Sequence, residues 1–226
     1  MKIVALMPLK ANSQRVPGKN FKLFNDKPLY MWTLDTLLSV PDIESVIINT
    51  DAERELREAG FKENKKVLIR ERRQEICGDL VSMNTIIADD LNSVDADLYI
   101  MTHTTNPLLT KDTIIKAIEL FKQYVVNGSY DSLFSVNKIQ TRFYRADGSA
   151  VNHDPTKLIQ TQDLEPWFEE NSNLYLFTPT SFSLTKARIG KRPFLFESPL
   201  LESCDIDTPS DWERTEALSK LLNNNS

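Results

Sequence analysis

The segment LKANSQRVPGKN, residues 9–20, concentrates side chains of the kinds that bind phosphate. These side chains are Lys10, Ser13, Arg15, Lys19 and Asn20. Ammonium and guanidinium groups bind phosphate oxygens strongly, and a hydroxyl and an amide add further donors. Residues 1–25 contain no acidic side chain, whereas the whole chain has a net charge of −5. A positive pole on an acidic protein favours a small anionic ligand over a nucleic acid.

The basic segment does not have the pattern of a P-loop. Gly18-Lys19 is followed by Asn20 where a P-loop has serine or threonine, and Ser13 stands where the first glycine belongs. The six glycines of the chain form no G-x-G-x-x-G motif either, which argues against a Rossmann dinucleotide site. From composition alone, a solvated basic loop remains the alternative to a phosphate site.

Asp205 and Asp207 form a second group that could take part in chemistry, and a single isoleucine separates them. On an extended segment both carboxylates point to the same side, where they suit one hard cation. Magnesium needs only one or two carboxylates plus phosphate oxygens. The alternative is N-capping of the last helix, for which Asp211 competes. With two histidines, and two cysteines without zinc spacing, the sequence favours magnesium over zinc.

The elements that must position these groups alternate between strands and helices. The predicted strands are 2–8, 45–50, 66–69, 97–102, 132–136 and 173–177. The predicted helices are 28–39, 51–59, 82–91, a long one from 111, and 210–222. This alternation predicts an α/β protein with a mostly parallel sheet. Ligands of such sheets bind beyond the carboxyl ends of the strands, and the basic segment follows the first strand.

Local signals also mark helix ends and one insertion. Asp51 and Ser82 are predicted N-caps, and Gly60 ends the second helix. Residues 138–172 are polar, with a turn at 146–149, and they interrupt the alternation. We predict a single domain, 1–226, with 138–172 as an inserted β-rich arm that serves as a lid or a dimerisation element.

Composition narrows the class of protein further. The 226 residues are 41% hydrophobic and 26% charged, which is typical of globular proteins. No apolar run approaches the ~20 residues of a membrane helix, and the N-terminus lacks the features of a signal peptide. We therefore expect no membrane association, no nucleic-acid partner and a cytoplasmic location.

The basic segment resembles the signature loop of the CMP-sugar synthetases, the cytidylyltransferases of acylneuraminate and other 2-keto sugar acids. The loop positions that match are Ser13, Pro17, Lys19 and Asn20. Further matches follow in order along the whole chain: Thr50-Asp51, then Arg72, Asp79 and Ser82, then 105–108, then 205–208. The resemblance implies a Rossmann-like three-layer α/β/α nucleotidyltransferase fold, CTP and a sugar acid as substrates, magnesium or manganese as cofactor, and a homodimer.

The resemblance also implies roles for individual residues. Those that hold the phosphates are Lys10, Arg15 and Lys19. Those that bind the nucleotide are Leu9, Ser13, Asn20, Arg72 and Ser82, the last two at the cytosine. Those that contact the sugar acid are His103, Arg142 and Gln162. Those that bind the metal are Asp205 and Asp207.

Some positions depart from the family pattern or allow another interpretation. Lys10 replaces an arginine, His103 falls near a usual glutamine, and Glu169-Glu170 stands where relatives have Arg-Pro. The nucleotide end therefore matches better than the sugar end. Ser82 also fits a helix cap, and His103 also fits a structural role. Because Arg70 and Arg73 flank Arg72, it stays open which of the three arginines matches the family position.

The expected reaction is attack of the anomeric hydroxyl of the sugar acid on the α-phosphorus of CTP, which releases pyrophosphate. Two alternatives stay open. One is a nucleotide-sugar glycosyltransferase with a D-x-D pair, although that pair normally follows a central strand and residues 205–207 lie near the C-terminus. The other is a non-catalytic nucleotide-binding protein of the same fold.

Overall fold

Seven strands form one sheet at the centre of the computed structural model, which describes residues 1–62 and 64–223. The strands are β1 (Ile3–Leu6), β2 (Leu23–Phe24), β3 (Lys27–Pro28), β4 (Ile43–Thr50), β5 (Val67–Glu71), β6 (Leu98–Met101), β7 (Ser132–Ile139), β8 (Trp167–Phe177) and β9 (Pro193–Glu197). The helices are α1 (Leu29–Ser39), α2 (Glu53–Glu58), α3 (Met83–Leu91), α4 (Lys111–Phe121), α5 (Pro179–Thr185) and α6 (Pro209–Asn223). β2 and β3 pair only with each other, in a small separate hairpin.

The strand order of the main sheet is β5-β4-β1-β6-β8-β7-β9. β8 is antiparallel to both of its neighbours, and the other six strands share one direction. The mostly parallel sheet predicted from the sequence is therefore confirmed. Because β1, β4, β5 and β6 all end at the same edge, the segments that follow them meet there.

Alternating side chains of the central strands enter two different apolar cores. On β1, Ile3 and Ala5 pack into a core with α1, α2 and α4, whereas Val4 and Leu6 pack into a second core with α3 and α5. Side chains of a strand alternate between its two faces, so the two cores lie on opposite faces of the sheet. The three-layer α/β/α arrangement is confirmed.

Two predicted details of the helix ends have different outcomes. Gly60, at φ +90°, follows α2 as predicted, in a left-handed conformation that glycine adopts without strain. The prediction that Asp51 caps α2 is wrong, because the N-cap is Ala52, without a side-chain cap. The carboxylate of Asp51 instead accepts a hydrogen bond, 2.8 Å long, from the amide of Ala11. It holds the basic segment rather than the helix.

The predicted arm is shorter than 138–172, because β7 and β8 extend into it. The two strands pair as far as Ile139 and Trp167, so the arm proper is 140–166. It contains a 3-10 turn at Thr161–Asp163 and one isolated bridge, Tyr144 to Ala150. The β structure predicted for the arm is found mainly at its base, where β7 and β8 pair. The role of the arm as a lid or dimerisation element stays a prediction.

α6, with 15 residues, is the longest helix in the described part of the chain. A membrane-spanning helix needs about 20 apolar residues. Among the described residues, none of the helices meets the requirements for crossing a bilayer.

Candidate active site

A cavity of about 380 Å³ opens at the carboxyl edge of the sheet. The basic segment that follows β1 forms one wall. Arg72, directly after β5, and His103, shortly after β6, line the same cavity. Asp205 and Asp207 reach it from the segment between β9 and α6. The parallel strands thus bring together groups that are far apart in sequence, as expected for this sheet edge.

The basic segment turns sharply at Gly18, which has φ +61°. The carbonyl of Gly18 accepts hydrogen bonds from the amides of Phe21 and Lys22. Glycine adopts positive φ without the steric penalty of a side chain. The turn points Lys19 inward, and Lys19 is only 8% exposed.

Asn20 ties the basic segment to the neighbouring strand end. Its amide group donates to the carbonyl of Lys10 at 2.8 Å, and its side-chain oxygen accepts from the hydroxyl of Thr104 at 2.7 Å. Both contacts fix the path of the segment across the edge of the sheet. Asn20 therefore acts first as a clamp on the wall of the cavity.

Arg72 supports the start of the basic segment from below. Its guanidinium donates to the carbonyl of Leu9 at 3.0 Å and to the side chain and carbonyl of Asn49 at 2.9 and 2.7 Å. The residue is 7% exposed. A buried guanidinium needs such acceptors, because an unpaired buried charge is costly. Of the neighbouring arginines Arg70, Arg72 and Arg73, it is Arg72 that lines the cavity, and its contact with cytosine stays a prediction.

Behind Arg72 lies a buried ionic cluster of Arg70, Asp89 and Asp90. Arg70 pairs with both carboxylates, at 3.0 Å from Asp89 and closely with Asp90. Asp90 also accepts from Asn49 at 2.8 Å. Burial raises the pKa of Asp90, and the hydrogen bonds from Asn49 and Arg70 oppose that rise. The cluster thus holds Asn49, which in turn holds Arg72.

At the mouth of the cavity, Lys10 forms an ion pair with Asp79 at 2.7 Å. Gln14 donates to the other carboxylate oxygen of Asp79, also at 2.7 Å. These hydrogen bonds and the charge of Lys10 lower the pKa of Asp79. The pair is exposed to solvent, where such contacts contribute little to stability. Lys10 is therefore easily released from Asp79.

The two aspartates differ in their surroundings. Asp207 pairs with Arg15 at 2.8 Å and with Lys19 at 3.2 Å. Asp205 is largely buried, and its Oδ1 atom has no hydrogen-bond partner. Burial and then the charge of Asp207 raise the pKa of Asp205, although a hydrogen bond from Thr105 acts in the opposite direction. A buried carboxylate oxygen without a partner beside a second carboxylate fits a hard cation.

The two aspartates do not cap α6. Asp211 accepts from the amide of Thr208 at 2.8 Å, and the Thr208 hydroxyl accepts from the amide of Asp211 at 3.2 Å. This reciprocal arrangement is a capping box, so the helix has its own cap. Within the described residues no three His, Cys, Asp or Glu side chains form a metal-binding group, which leaves the Asp205–Asp207 pair with two protein ligands.

His103 is half-buried in the wall of the cavity. Burial lowers its pKa to about 4, the charges of Arg188 and Lys19 act in the same direction, and Asp207 opposes them. Its imidazole is therefore neutral at pH 7.

The structure brings most of the predicted site residues to this cavity. Those that line it are Leu9, Lys10, Ser13, Lys19, Asn20, Arg72, His103, Asp205 and Asp207. Arg15 contacts it through Asp207. Ser82 is the N-cap of α3, where its hydroxyl accepts from the amide of Asn84 at 3.3 Å. The structure therefore shows the capping role, which uses this hydroxyl as an acceptor, and its contact with a base stays a prediction.

Arg142 and Gln162 do not reach the cavity within this chain. Arg142 donates to the carbonyl of Ile159, and Gln162 donates to the side chain of Gln160 at 2.7 Å. Both contacts lie inside the arm. Neither residue is among those that line the cavity. Their contact with a sugar acid stays a prediction.

Sequence reasoning missed several residues at the site. Ser172 lines the cavity from β8, and Asn49 and Thr104 hold its walls. Arg188 contacts His103 from the segment after α5. A polar residue at the end of an apolar strand could have revealed Asn49. No local pattern marks Arg188, because only the tertiary fold brings it to the site.

The fold and the cavity define an α/β protein whose candidate ligand site lies at the carboxyl edge of a mostly parallel sheet. A family model described as cytidylyltransferase matches residues 4–225. The chain belongs to the cytidylyltransferase family, and it is therefore an enzyme of the nucleotidyltransferase class.

Two curated relatives match over nearly their whole length. The CMP-N,N'-diacetyllegionaminic acid synthase of Legionella pneumophila is 28% identical over 234 residues, covering 98% of this chain and 97% of the relative. The pseudaminic acid cytidylyltransferase of Campylobacter jejuni is 25% identical over 229 residues, with the same two coverages. Both support the resemblance to the CMP-sugar synthetases.

Solved structures confirm the fold. CMP:2-keto-3-deoxy-manno-octonic acid synthetase complexed with CTP has a TM-score of 0.66 at 17% identity, covering 98% of this chain and 100% of that one. The 4-diphosphocytidyl-2C-methyl-D-erythritol synthase from Anaerococcus prevotii has a TM-score of 0.69 at 11% identity, covering 97% and 96%. Both likenesses agree with a Rossmann-like nucleotidyltransferase architecture.

The low pKa of His103 predicts a loss of stability in mild acid. Its pKa is about 4 in the folded chain and near 6.5 in the unfolded chain. Between these values the unfolded chain binds more protons, so stability is present above about pH 6.5 and lost as the pH falls toward 4. From pH 7 to pH 5 the contribution of His103 is about 1 to 2 kcal/mol.

Urea unfolding at pH 7 and pH 5 measures this contribution. We expect His103→Gln to lose less stability between the two pH values than the wild type. His153→Gln, which changes the histidine in the arm, serves as the control and should behave as the wild type. Equal losses in all three proteins would contradict a neutral, largely desolvated His103.

Proposed function

We propose that this enzyme transfers CMP from CTP to a 2-keto sugar acid of the sialic-acid-like, nonulosonic type and releases pyrophosphate. The observation that carries the proposal is the meeting of the basic segment and the aspartate pair at one cavity, with Lys19 in contact with Asp207. A triphosphate requires cations, and a divalent cation requires carboxylates. The names of the two curated relatives support the class of acceptor.

In this proposal the basic segment binds the triphosphate. Lys19 stands at the base of the cavity, Lys10 leaves Asp79 to bind phosphate at the mouth, and Ser13 adds a hydroxyl. Arg15 pairs with Asp207, and it would move to the phosphates when the Asp207 carboxylate binds a divalent cation instead. Attack on the α-phosphorus then depends on alignment and on stabilisation of developing charge, which fixed cations supply without reorganisation.

Asp205 and Asp207 are the residues that would hold magnesium, with manganese as a substitute. The buried and unpartnered Oδ1 of Asp205 supports this assignment. When bound, the cation neutralises negative charge on the phosphates and lowers the pKa of a coordinated hydroxyl. The residues of this chain orient the two substrates around it, and the ammonium of Lys19 adds a second positive charge at the same end of the cavity.

The base of the nucleotide lies, in this proposal, near the start of the basic segment. Arg72 fixes the carbonyl of Leu9, whose second lone pair can accept from the exocyclic amine of cytosine. UTP presents an oxygen there instead of an amine, so CTP is the preferred nucleotide. Arg72 acts through the backbone that it holds.

The acceptor end is formed by His103, Ser172 and the aspartate pair. Arg142 and Gln162 lie in the arm, and in a homodimer the arm of one copy would bring them to the cavity of the other. The homodimer belongs to this proposal. We also propose a cytoplasmic location. The family match disfavours a glycosyltransferase, whose D-x-D pair would also follow a central strand.

Incubation with CTP, magnesium and a panel of sugar acids tests the function, with mass spectrometry to detect the CMP adduct. We expect an adduct with at least one nonulosonic acid, release of pyrophosphate, and at least tenfold preference for CTP over UTP. Hydrogen-bonding groups left unpaired by the wrong base cost ~1 to 3 kcal/mol each. Tight binding of CTP without an adduct from any acid would overturn the proposed reaction.

Lys19→Met is expected to lower turnover at least tenfold. Methionine keeps a buried aliphatic stem but removes the ammonium, and a tenfold loss corresponds to ~1.4 kcal/mol of transition-state stabilisation. Pyrophosphate release at saturating substrates measures it. Lys22→Met is the control, since Lys22 is exposed and lies over the ring of Trp212 outside the cavity. Similar turnover in both variants would remove Lys19 from the mechanism.

Chelation of divalent cations is expected to abolish activity, and magnesium or manganese, but not zinc, should restore it. Asp207→Asn should lose most activity at ordinary magnesium concentration, because a neutral amide oxygen is a poorer ligand for a hard cation. Asp211→Asn is the matched control: it weakens the cap of α6 and should reduce thermal stability without changing the dependence on magnesium. Full activity of the Asp207 variant would refute the metal site.

A further inference from the structure

Arg188 is half-buried near the cavity, and it belongs to neither the basic segment nor the aspartate pair. Its side chain is 17% exposed, and its guanidinium carbon lies 3.7 Å from the centroid of the Tyr175 ring. Its Nη2 donates to the Tyr175 hydroxyl at 2.9 Å and to Glu170 at 3.4 Å. Stacking and hydrogen bonds from two sides leave the guanidinium little freedom.

The other terminal nitrogen of Arg188 contacts the active site. Nη1 lies 3.4 Å from Nε2 of His103 and 3.6 Å from the sulfur of Met101. A guanidinium has only donors and does not lose its proton in a protein. His103 must therefore accept this hydrogen bond through a lone pair on Nε2. An imidazole with its lone pair on Nε2 carries its proton on Nδ1.

The charged groups around His103 favour this neutral form. Arg188 and Lys19 are cations, and Asp207 is the one carboxylate that acts on the imidazole in the opposite direction. Burial disfavours the charged form as well, in agreement with the low pKa of His103. No hydrogen bond to Nδ1 occurs among the residues that the structure describes. The Nδ1–H donor is left for a ligand in the cavity that His103 lines.

We propose that Arg188 is a positioning residue that fixes His103 as a neutral Nδ1–H donor, and that this donor recognises an oxygen of the sugar acid. The second half of the proposal rests on the proposed function. His103 then has no free lone pair, so it does not remove the proton of the attacking hydroxyl. Its part is binding and orientation of the acceptor, an acid whose carboxylate has only acceptor atoms.

Nitrogen NMR of the full-length, ¹⁵N-labelled chain tests the first half without any substrate. The chain has two histidines, so a spectrum of His153→Gln assigns the remaining imidazole to His103. We expect the Nδ1–H tautomer at pH 7, because Nε2 accepts from Arg188. An Nε2–H tautomer would overturn the proposal. This measurement holds even if the proposed reaction is wrong.

Arg188→Met and Arg188→Lys test the second half by kinetics. In Arg188→Met, His103 should shift toward the Nε2–H tautomer, and the KM for the sugar acid should rise at least fivefold while the KM for CTP changes less than twofold. Arg188→Lys keeps a cationic donor and should restore part of the loss. A purely structural role would instead raise both KM values together or reduce the folded fraction, and either result would contradict the assignment.

Discussion

A buried lysine joins the two ends of the chain at the active site, and the geometry of the cavity depends on this contact. Lys19 Nζ lies 2.6 Å from the carbonyl of Ile206 and 3.2 Å from a carboxylate oxygen of Asp207. An ammonium removed from water needs such partners, because an unpaired buried charge is strongly destabilising. The same contact that satisfies the lysine therefore holds the basic segment against the aspartate pair.

The rest of the site is built so that few groups are free to move. Arg72 holds Leu9, Asn49 holds Arg72, and Asp90 holds Asn49. Each member of this chain of contacts is buried or nearly so, and in such surroundings a missing partner costs more than a formed bond contributes. The network thus fixes the backbone on which the nucleotide is expected to bind. By contrast, Lys10 and Arg15 form exposed ion pairs that an incoming ligand can exchange at low cost.

The sequence predicted the mostly parallel sheet from its periodicity, whereas the three layers and a common site for the basic segment, Asp205 and Asp207 were implied by the resemblance to the CMP-sugar synthetases. It failed at Asp51, which had the pattern of a helix cap, because a nearby backbone amide takes its carboxylate. Ser82 fitted both a base contact and a helix cap; the structure shows the cap, and the base contact stays a prediction. Arg188 had no pattern at all, since its contact with His103 exists only after the sheet has formed.

The reversed strand β8 has a consequence for the order of assembly. It lies between β6 and β7, and its sheet partner β6 precedes it by more than 60 residues, including the whole arm. Contacts between distant segments form late, because closing a long loop carries an entropic cost before the contact stabilises it. The four strands β5, β4, β1 and β6 are complete before β8 emerges from the ribosome. The part of the cavity wall that Leu9 and Arg72 form can therefore condense first. The part that carries Ser172 is added when the hairpin of β7 and β8 closes the sheet, and the aspartate pair follows after β9.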